Sequence, residues 1–340
     1  MRLVLSVSTI LALAPVTAVH AQIEGCADDA RLSEAAEALA LETAPDEETL
    51  MALVRASGSE APRAHALSVA ESDTARVAEW LATLTERGET PLACGEARSG
   101  AQRVLVAAPA AATLAVDGTH VSGHIASGWH DPLLYAEDAD GEVHVMELTS
   151  PTFATSLPAG IDAVRVQVVA RGPDGPRPVA ERVLGVREVD GLASDDPRER
   201  VEQMRHGAGA PVLRTSRMFD RIAAAHAEAI CAAGEAAHEL EPGRDPSARL
   251  REEGVVARHV GEVASRGIDV AHALDALGQS PSHRAALIDR RFTDLGIGTA
   301  TGEDGYECVV VILTAWPRIL APSPGHAVAS SGGTHLHSAE

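Results

Sequence analysis

The sequence predicts an α+β multidomain chain in which a small helical module is followed by a β-rich unit and then by a C-terminal α/β unit. Three observations carry this. Between residues 22 and 100 apolar residues recur at helical spacing. From 101 to 190 they fall into short Val-rich runs divided by Gly, Pro and Asp turns, the pattern of strands. Beyond residue 200, helical stretches precede two adjacent strand-like runs, as in a sheet covered by helices. A chain of 340 residues that is 45% apolar has material for several cores, and at 2% aromatic content those cores are built from Ala, Val and Leu.

The N-terminal end indicates export. Residues 1–21 carry one cation, Arg2, an apolar core over 3–16 and a small-residue site ending at Ala21, the form of a secretory signal peptide. The mature chain is then expected to begin at Gln22, in a secreted or periplasmic location. No later stretch approaches the 18 or so uninterrupted apolar residues of a membrane span, so no transmembrane segment is expected. Four cysteines in an exported chain predict disulfides. Three connectivities exist; Cys26 and Cys94 bracket the first region and Cys231 and Cys308 lie in the last, which favours pairing within regions. The net charge of −21, with every basic residue an Arg, gives a surface that repels nucleic acid and anionic headgroups.

In the first region helices are expected over 30–41, 47–55 and 73–87, separated by breaks at Ala44-Pro45-Asp46 and Ser57-Gly58-Ser59. Cys26 and Cys94 close this module, and His65 reads as a solvated loop residue. In the second region, over 101–190, strands are expected at 103–107, 113–116, 143–148, 163–169 and 179–186, which together suggest a β-sandwich, immunoglobulin-like in character. His120, His124, His130 and His144 are scattered through it without metal-ligand spacing. A charged linker over 194–200 leads to helices at 218–233, 246–253, 269–277 and 281–289. Ser280 is placed to cap the last of these, with Pro281 at the first helical position. Strands at 295–300 and 306–314 follow, joined by Gly302-Glu303-Asp304-Gly305. Residues 318–340, rich in Ser, Gly, Pro and His, are expected to be disordered.

The chemistry concentrates in three dispersed residues: His238, Glu262 and His283. Two imidazoles and a carboxylate that converge on one pocket can hold a metal ion or polarise a water. Their order, helix then His238, Gly261-Glu262, Ser280-Pro281-Ser282-His283-Arg284, then Leu295-Gly296-Ile297-Gly298, resembles a bacterial CAP domain, the SCP-like superfamily of cysteine-rich secretory, antigen 5 and pathogenesis-related proteins, over roughly 205–317 of a domain expected at 198–317. The resemblance implies an α-β-α sandwich and a surface cavity lined by two His and two acidic residues. His238, Glu262 and His283 match three of these, and the fourth, acidic position falls near Ser280. Val263 stands where the family carries Asn, and Leu277 where it carries Trp.

Two readings of the trio follow. In one, His238 and His283 coordinate a divalent metal ion such as zinc, with Glu262 supplying an oxygen or orienting a water, or the cavity holds a small apolar ligand. In the other, Glu262 hydrogen-bonds both rings and ties helices to the sheet. Catalysis fits less well: the nearest hydroxyls, Ser280 and Ser282, begin the helix that carries His283, which leaves no separate nucleophile. The sequence thus points to a non-enzymatic exported binding protein, its front modules turned toward an envelope or extracellular component. The alternative is a metal-dependent peptidase or esterase with Glu262 as general base. His226, expected on the same helix as His238, reads as a packing or surface residue, and His259 and His272 as surface. His326, His335 and His337 offer only incidental metal binding.

Overall fold

The computed structural model describes residues 16–18, 23–43, 45–185, 187, 194 and 196–319. Most of the segment over 1–21 lies outside them, as do residues 320–340 with His326, His335 and His337. No helix among the described residues is long and apolar enough to cross a membrane.

The first unit is built from β1 (Val16–Ala18), β2 (Ala27–Asp28), α1 (Ala30–Leu39), α2 (Glu47–Ala56), β3 (His65–Ala70), α3 (Thr74–Glu86), β4 (Leu92–Ser99) and β5 (Gln102–Pro109). The side chains of Asp29, Asp46 and Asp73 accept first-turn N–H groups, which is why three of the expected helices start where they do. The unit is not purely helical. Its sheet runs β1-β4-β5-β3, with β2 parallel to β4, so the run at 103–107, expected in the next domain, pairs here. Strand β5 shows the reason for the sheet: Val104, Val106 and Ala108 meet α1 and α2, while Leu105 and Ala107 meet α3. Both faces are buried, so the alternation that marks a half-exposed strand is missing. Strand β1 comes from the segment read as signal peptide, and His65 opens β3 and does not lie in a loop. Cys26 is bonded to Cys94 and Cys231 to Cys308.

The second unit contains β6 (Ala112–Asp117), β7 (His120–Ile125), β8 (His130–Asp138), β9 (Val143–Glu147), β10 (Thr152–Ser156), β11 (Ala163–Gly172) and β12 (Gly175–Val183). Its two antiparallel sheets run β10-β7-β6 and β12-β11-β8-β9. One core joins them, with Leu114, Val121 and Phe153 from the first sheet against Leu134, Val166 and Val168 from the second.

The third unit holds α4 (Pro197–Gly207), β13 (Arg214–Thr215), α5 (Arg217–Ala233), α6 (Pro246–Glu252), β14 (Val255–Val256), β15 (His259–Gly267), α7 (Val270–Gln279), α8 (Pro281–Ile288), β16 (Asp294–Thr301), β17 (Glu307–Ala315) and β18 (Arg318–Ile319). Helix α4 begins inside the stretch read as a linker, because the Asp196 carboxylate caps it and Pro197 suits its first position. Strand β18 pairs with β14, so ordered chain extends past residue 317. The sheet β13-β16-β17-β15 is layered between helices. Along β17, Cys308, Val310 and Ile312 face α5, while Val309, Val311 and Leu313 face α4, α7 and α8.

The Leu295-Gly296-Ile297-Gly298 motif has a packing cause. A Cβ on Gly296 would lie 2.3 Å from Phe219 Cβ, and one on Gly298 would lie 2.0 Å from the Ala224 backbone N. Helix α5 rests directly on β16, and only glycine permits that approach. Gly298→Ala should therefore cost about 1–3 kcal/mol or more by overpacking, read as a lower urea midpoint. A midpoint equal to wild type would contradict this packing.

Candidate functional site

Glu262 lies on the edge strand β15 and its side chain is almost fully enclosed. The chain reverses out of α5 at Gly234, in the left-handed conformation, so His238 sits in the following loop and not on that helix. From there the His238 Nδ1 is 2.9 Å from Glu262 Oε1. The other carboxylate oxygen accepts from the Arg249 guanidinium on α6. Arg249 is itself buried and also donates to the backbone carbonyls of His238 and Arg244, each at 2.8 Å. His226 completes the cluster from α5: its Nε2 donates to Ala237 O at 3.0 Å and stands 3.6 Å from Glu262 Oε1. Burial opposes ionisation of Glu262, but the hydrogen bond and charge of His238, with the charges of Arg249 and His226, outweigh it and hold the carboxyl below its usual range. Burial drives the His226 imidazole down, toward the neutral form.

His283 has different surroundings. It rides on α8, whose Leu287 belongs to the core on the opposite face of the sheet. Its Nδ1 is buried without a hydrogen-bond partner among the described residues. Burial, with a lesser contribution from the charge of His238, lowers its pKa to about 3, so the ring is neutral at physiological pH. Ser280 does not cap α8 through its own side chain. That role falls to Gln167 of β11, which is buried and whose Oε1 accepts from Ser282 N and Ser280 Oγ, both at 3.2 Å. The Gln167 amide in turn donates to Glu181 Oε2 at 2.8 Å.

Both histidines are thus covered by the second unit. Glu239 N donates to Asp174 O in the β11–β12 hairpin at 3.1 Å. At Gly175, where φ is +99°, a Cβ would come within 3.0 Å of His238 Cβ. Arg187 and Arg284 add bonds to Gly278 O at 3.1 Å and Gly141 O at 2.9 Å. Ser280 and His283 open onto a cleft of about 440 Å³ that all three units enclose, with Met51 and Arg55 from α2 and Arg165 and Gln167 from β11 among its walls. His238 and Glu262 do not line it.

The trio expected to bind metal is therefore divided. His238 and Glu262 belong to a buried ionic cluster, and His283 with Ser280 to a cleft. Their donor atoms are not gathered as ligands: the one group of three donors within 4.8 Å among the described residues is Asp138, Glu142 and His144, on the β8–β9 hairpin. The residues around Glu262 do not suit a divalent cation. One oxygen is held by His238 and the other by Arg249, whose fixed positive charge occupies the place a cation would take. Val263 and Leu277, which depart from the family's usual residues, are fully buried in the core shared with α7 and change nothing in the cleft.

Sequence reasoning missed Arg249 and His226. Nothing in the sequence distinguishes Arg249 among 28 arginines. His226 had a signal: it lies on the same helical stripe as the buried residues Ile222 and Ile230, and a His on a buried stripe requires polar partners. His272 is exposed, its N–H accepted by the Asp269 cap of α7, while it borders the cleft.

A three-layer α-β-α domain with a His and Glu cluster at its sheet edge defines the class. Residues 198–313 match the model of the CAP family, the cysteine-rich secretory protein family, and this part of the chain is a CAP domain. Among solved structures, an outer surface protein from Borrelia burgdorferi aligns at 19% identity and a TM-score of 0.32, over 35% of this chain and 88% of that one. An extracellular SCP-domain protein from Bacillus anthracis str. Ames aligns at 14% identity and a TM-score of 0.32, over 60% of this chain and 67% of that one. No curated protein matches the sequence.

The neutral state of His283 has a consequence for stability. Its folded pKa lies below the unfolded value, so the unfolded chain binds an extra proton between about pH 6.5 and pH 3. Stability from this group is complete above the unfolded pKa and falls as pH drops. In His283→Gln, chemical denaturation at pH 7 and pH 5 should show about 2 kcal/mol less acid destabilisation than wild type. An identical loss in both proteins would contradict a neutral buried His283.

Proposed function

We propose that the chain is an exported, non-enzymatic binding protein that holds a small organic molecule in the cleft between its CAP domain and its two front units. The observation that carries this is His283: a neutral imidazole whose buried Nδ1 lacks a protein partner among the described residues and which lines the 440 Å³ cleft. An unpaired buried nitrogen is costly, and a ligand hydrogen bond removes that cost. The volume lies within the range of about 300–1,000 Å³ typical of small-molecule sites.

The hydrolase reading finds less support. A general base works best with a pKa near the operating pH, whereas Glu262 is held low and both its oxygens are engaged. Ser280 Oγ is hydrogen-bonded to Gln167, not to a base. A zinc cofactor is disfavoured by the same Arg249 contact. Export rests on the leader and on the two disulfides. The front units act here as walls of the site, and their outer surfaces remain available to an envelope or extracellular component.

The test is ligand-observed NMR of the full chain against a library of neutral heteroaromatic and aliphatic fragments. Binders should be found, and they should lose contact in His283→Phe, which fills the cleft, and in Gln167→Ala, which removes its far wall. Fragments that bind all three proteins alike, or no binders at all, would overturn the reading. So would peptide or ester turnover abolished by Glu262→Gln.

A further inference from the structure

A second cleft, of about 590 Å³, lies between the first unit and the CAP domain. Its walls combine two aromatic rings with a buried carboxylate and its basic partners. The chain has three Trp and two Tyr in 340 residues, and Trp80 and Tyr306 both line this cleft. Trp80 is half-buried, its inner part packed on the core beneath α3. The guanidinium of Arg266 lies over Tyr306, 3.9 Å from the ring centroid.

Facing these rings is a buried ionic group. Glu89 is 3% exposed and its Oε1 is 2.9 Å from Arg63 Nη2 and 3.6 Å from His65 Nε2. Its second oxygen, Oε2, has no hydrogen-bond partner among the described residues, and neither do Arg63 Nε and His65 Nε2. All three residues line the cleft. A carboxylate so deeply buried is normally satisfied, and its unpartnered oxygen, with Arg63 Nε and His65 Nε2 on residues that line the same space, leaves capacity for a ligand with both donors and acceptors.

The charges narrow the class. The lining carries four carboxylates against three arginines, plus His65, a nearly balanced wall that gives a strongly charged ligand no advantage. A purely apolar ligand would leave the carboxylate and the guanidinium unsatisfied. A pyranose ring offers what both walls need: a face of C–H groups for an aromatic ring and a rim of hydroxyls for Glu89, Arg63 and His65.

We infer that this cleft binds a neutral saccharide, with its C–H face on Trp80 and its hydroxyls on Glu89, Arg63 and His65. The site adjoins that of His283, with Asp46, Glu47 and Arg266 lining both clefts, but Trp80, Glu89, Arg63 and His65 line only this one and His283 only the other. Its CAP wall, Gly234 to Ala236, leads into His238, so occupancy here adjoins the loop that carries the buried cluster.

The experiment is isothermal titration calorimetry of the full chain with N,N′-diacetylchitobiose, cellobiose and maltose. At least one should bind. Trp80→Ala should weaken that binding about tenfold or more, and Trp80→Phe, which keeps a ring, much less. Glu89→Gln, which keeps the shape and removes the charge, should weaken it about tenfold or more. His283→Phe should leave it unchanged, which separates failure here from failure of the His283 cleft. Thermal melts confirm that each variant is folded. The inference is overturned if none of the three sugars binds, if Trp80→Ala and Glu89→Gln both bind like wild type, or if only charged sugars or peptides bind.

Discussion

The contact between Glu262 and Arg249 is the constraint around which the C-terminal half of the chain is arranged. A carboxylate this deeply enclosed is stable only when its charge is matched and its oxygens are bonded, and removing one partner of such a pair costs about 3–5 kcal/mol. Arg249 meets that need from α6, and through His238 O and Arg244 O it also fixes the loop that follows α5. His238 and His226 add the remaining contacts. One acidic side chain thereby joins the sheet edge, two helices and a long connection. The same saturation removes Glu262 from the chemistry of the cleft.

What remains for binding is the region the sheet places on its other side. Because residues alternate across β15, Val263 turns into the core under α7 while its neighbours face α5 and α6. His283, carried by α8, lines the cleft and is not bonded to the carboxylate. The second unit then closes that space. Gln167 supplies the helix cap that Ser280 does not, and hydrogen bonds from Arg187 and Arg284 hold the sandwich against α7 and α8. The site of the CAP domain is in this sense made by three units, two of which lie outside the domain itself.

Much of this was legible in the sequence. The capped helices, the Val-rich runs with their turns and the spacing of His238, Glu262 and His283 placed the CAP domain and its candidate residues. The strands β3, β4, β7, β8, β10 and β15 were not among those expected, and for some of them the reason can be named. In β4 burial on both faces erases alternation. In β15 glycines stand where side chains would signal a strand: a Cβ on Gly261 would meet Phe292 at 2.6 Å, and one on Gly267 would meet Ala273 N at 2.7 Å. Tight packing selected residues that look like breakers. The division of the trio was hidden for another reason, since it depends on Arg249 and Gln167, which no spacing connects to the motif.

The most direct measurement is of the histidine rings themselves, by long-range nitrogen-15 correlation NMR from pH 7 to pH 4, with and without zinc. The account predicts that His283 stays neutral across this range and that zinc leaves the rings of His238 and His283 unmoved. Titration of His283 near pH 6.5, or a joint zinc-induced shift of both rings, would contradict it.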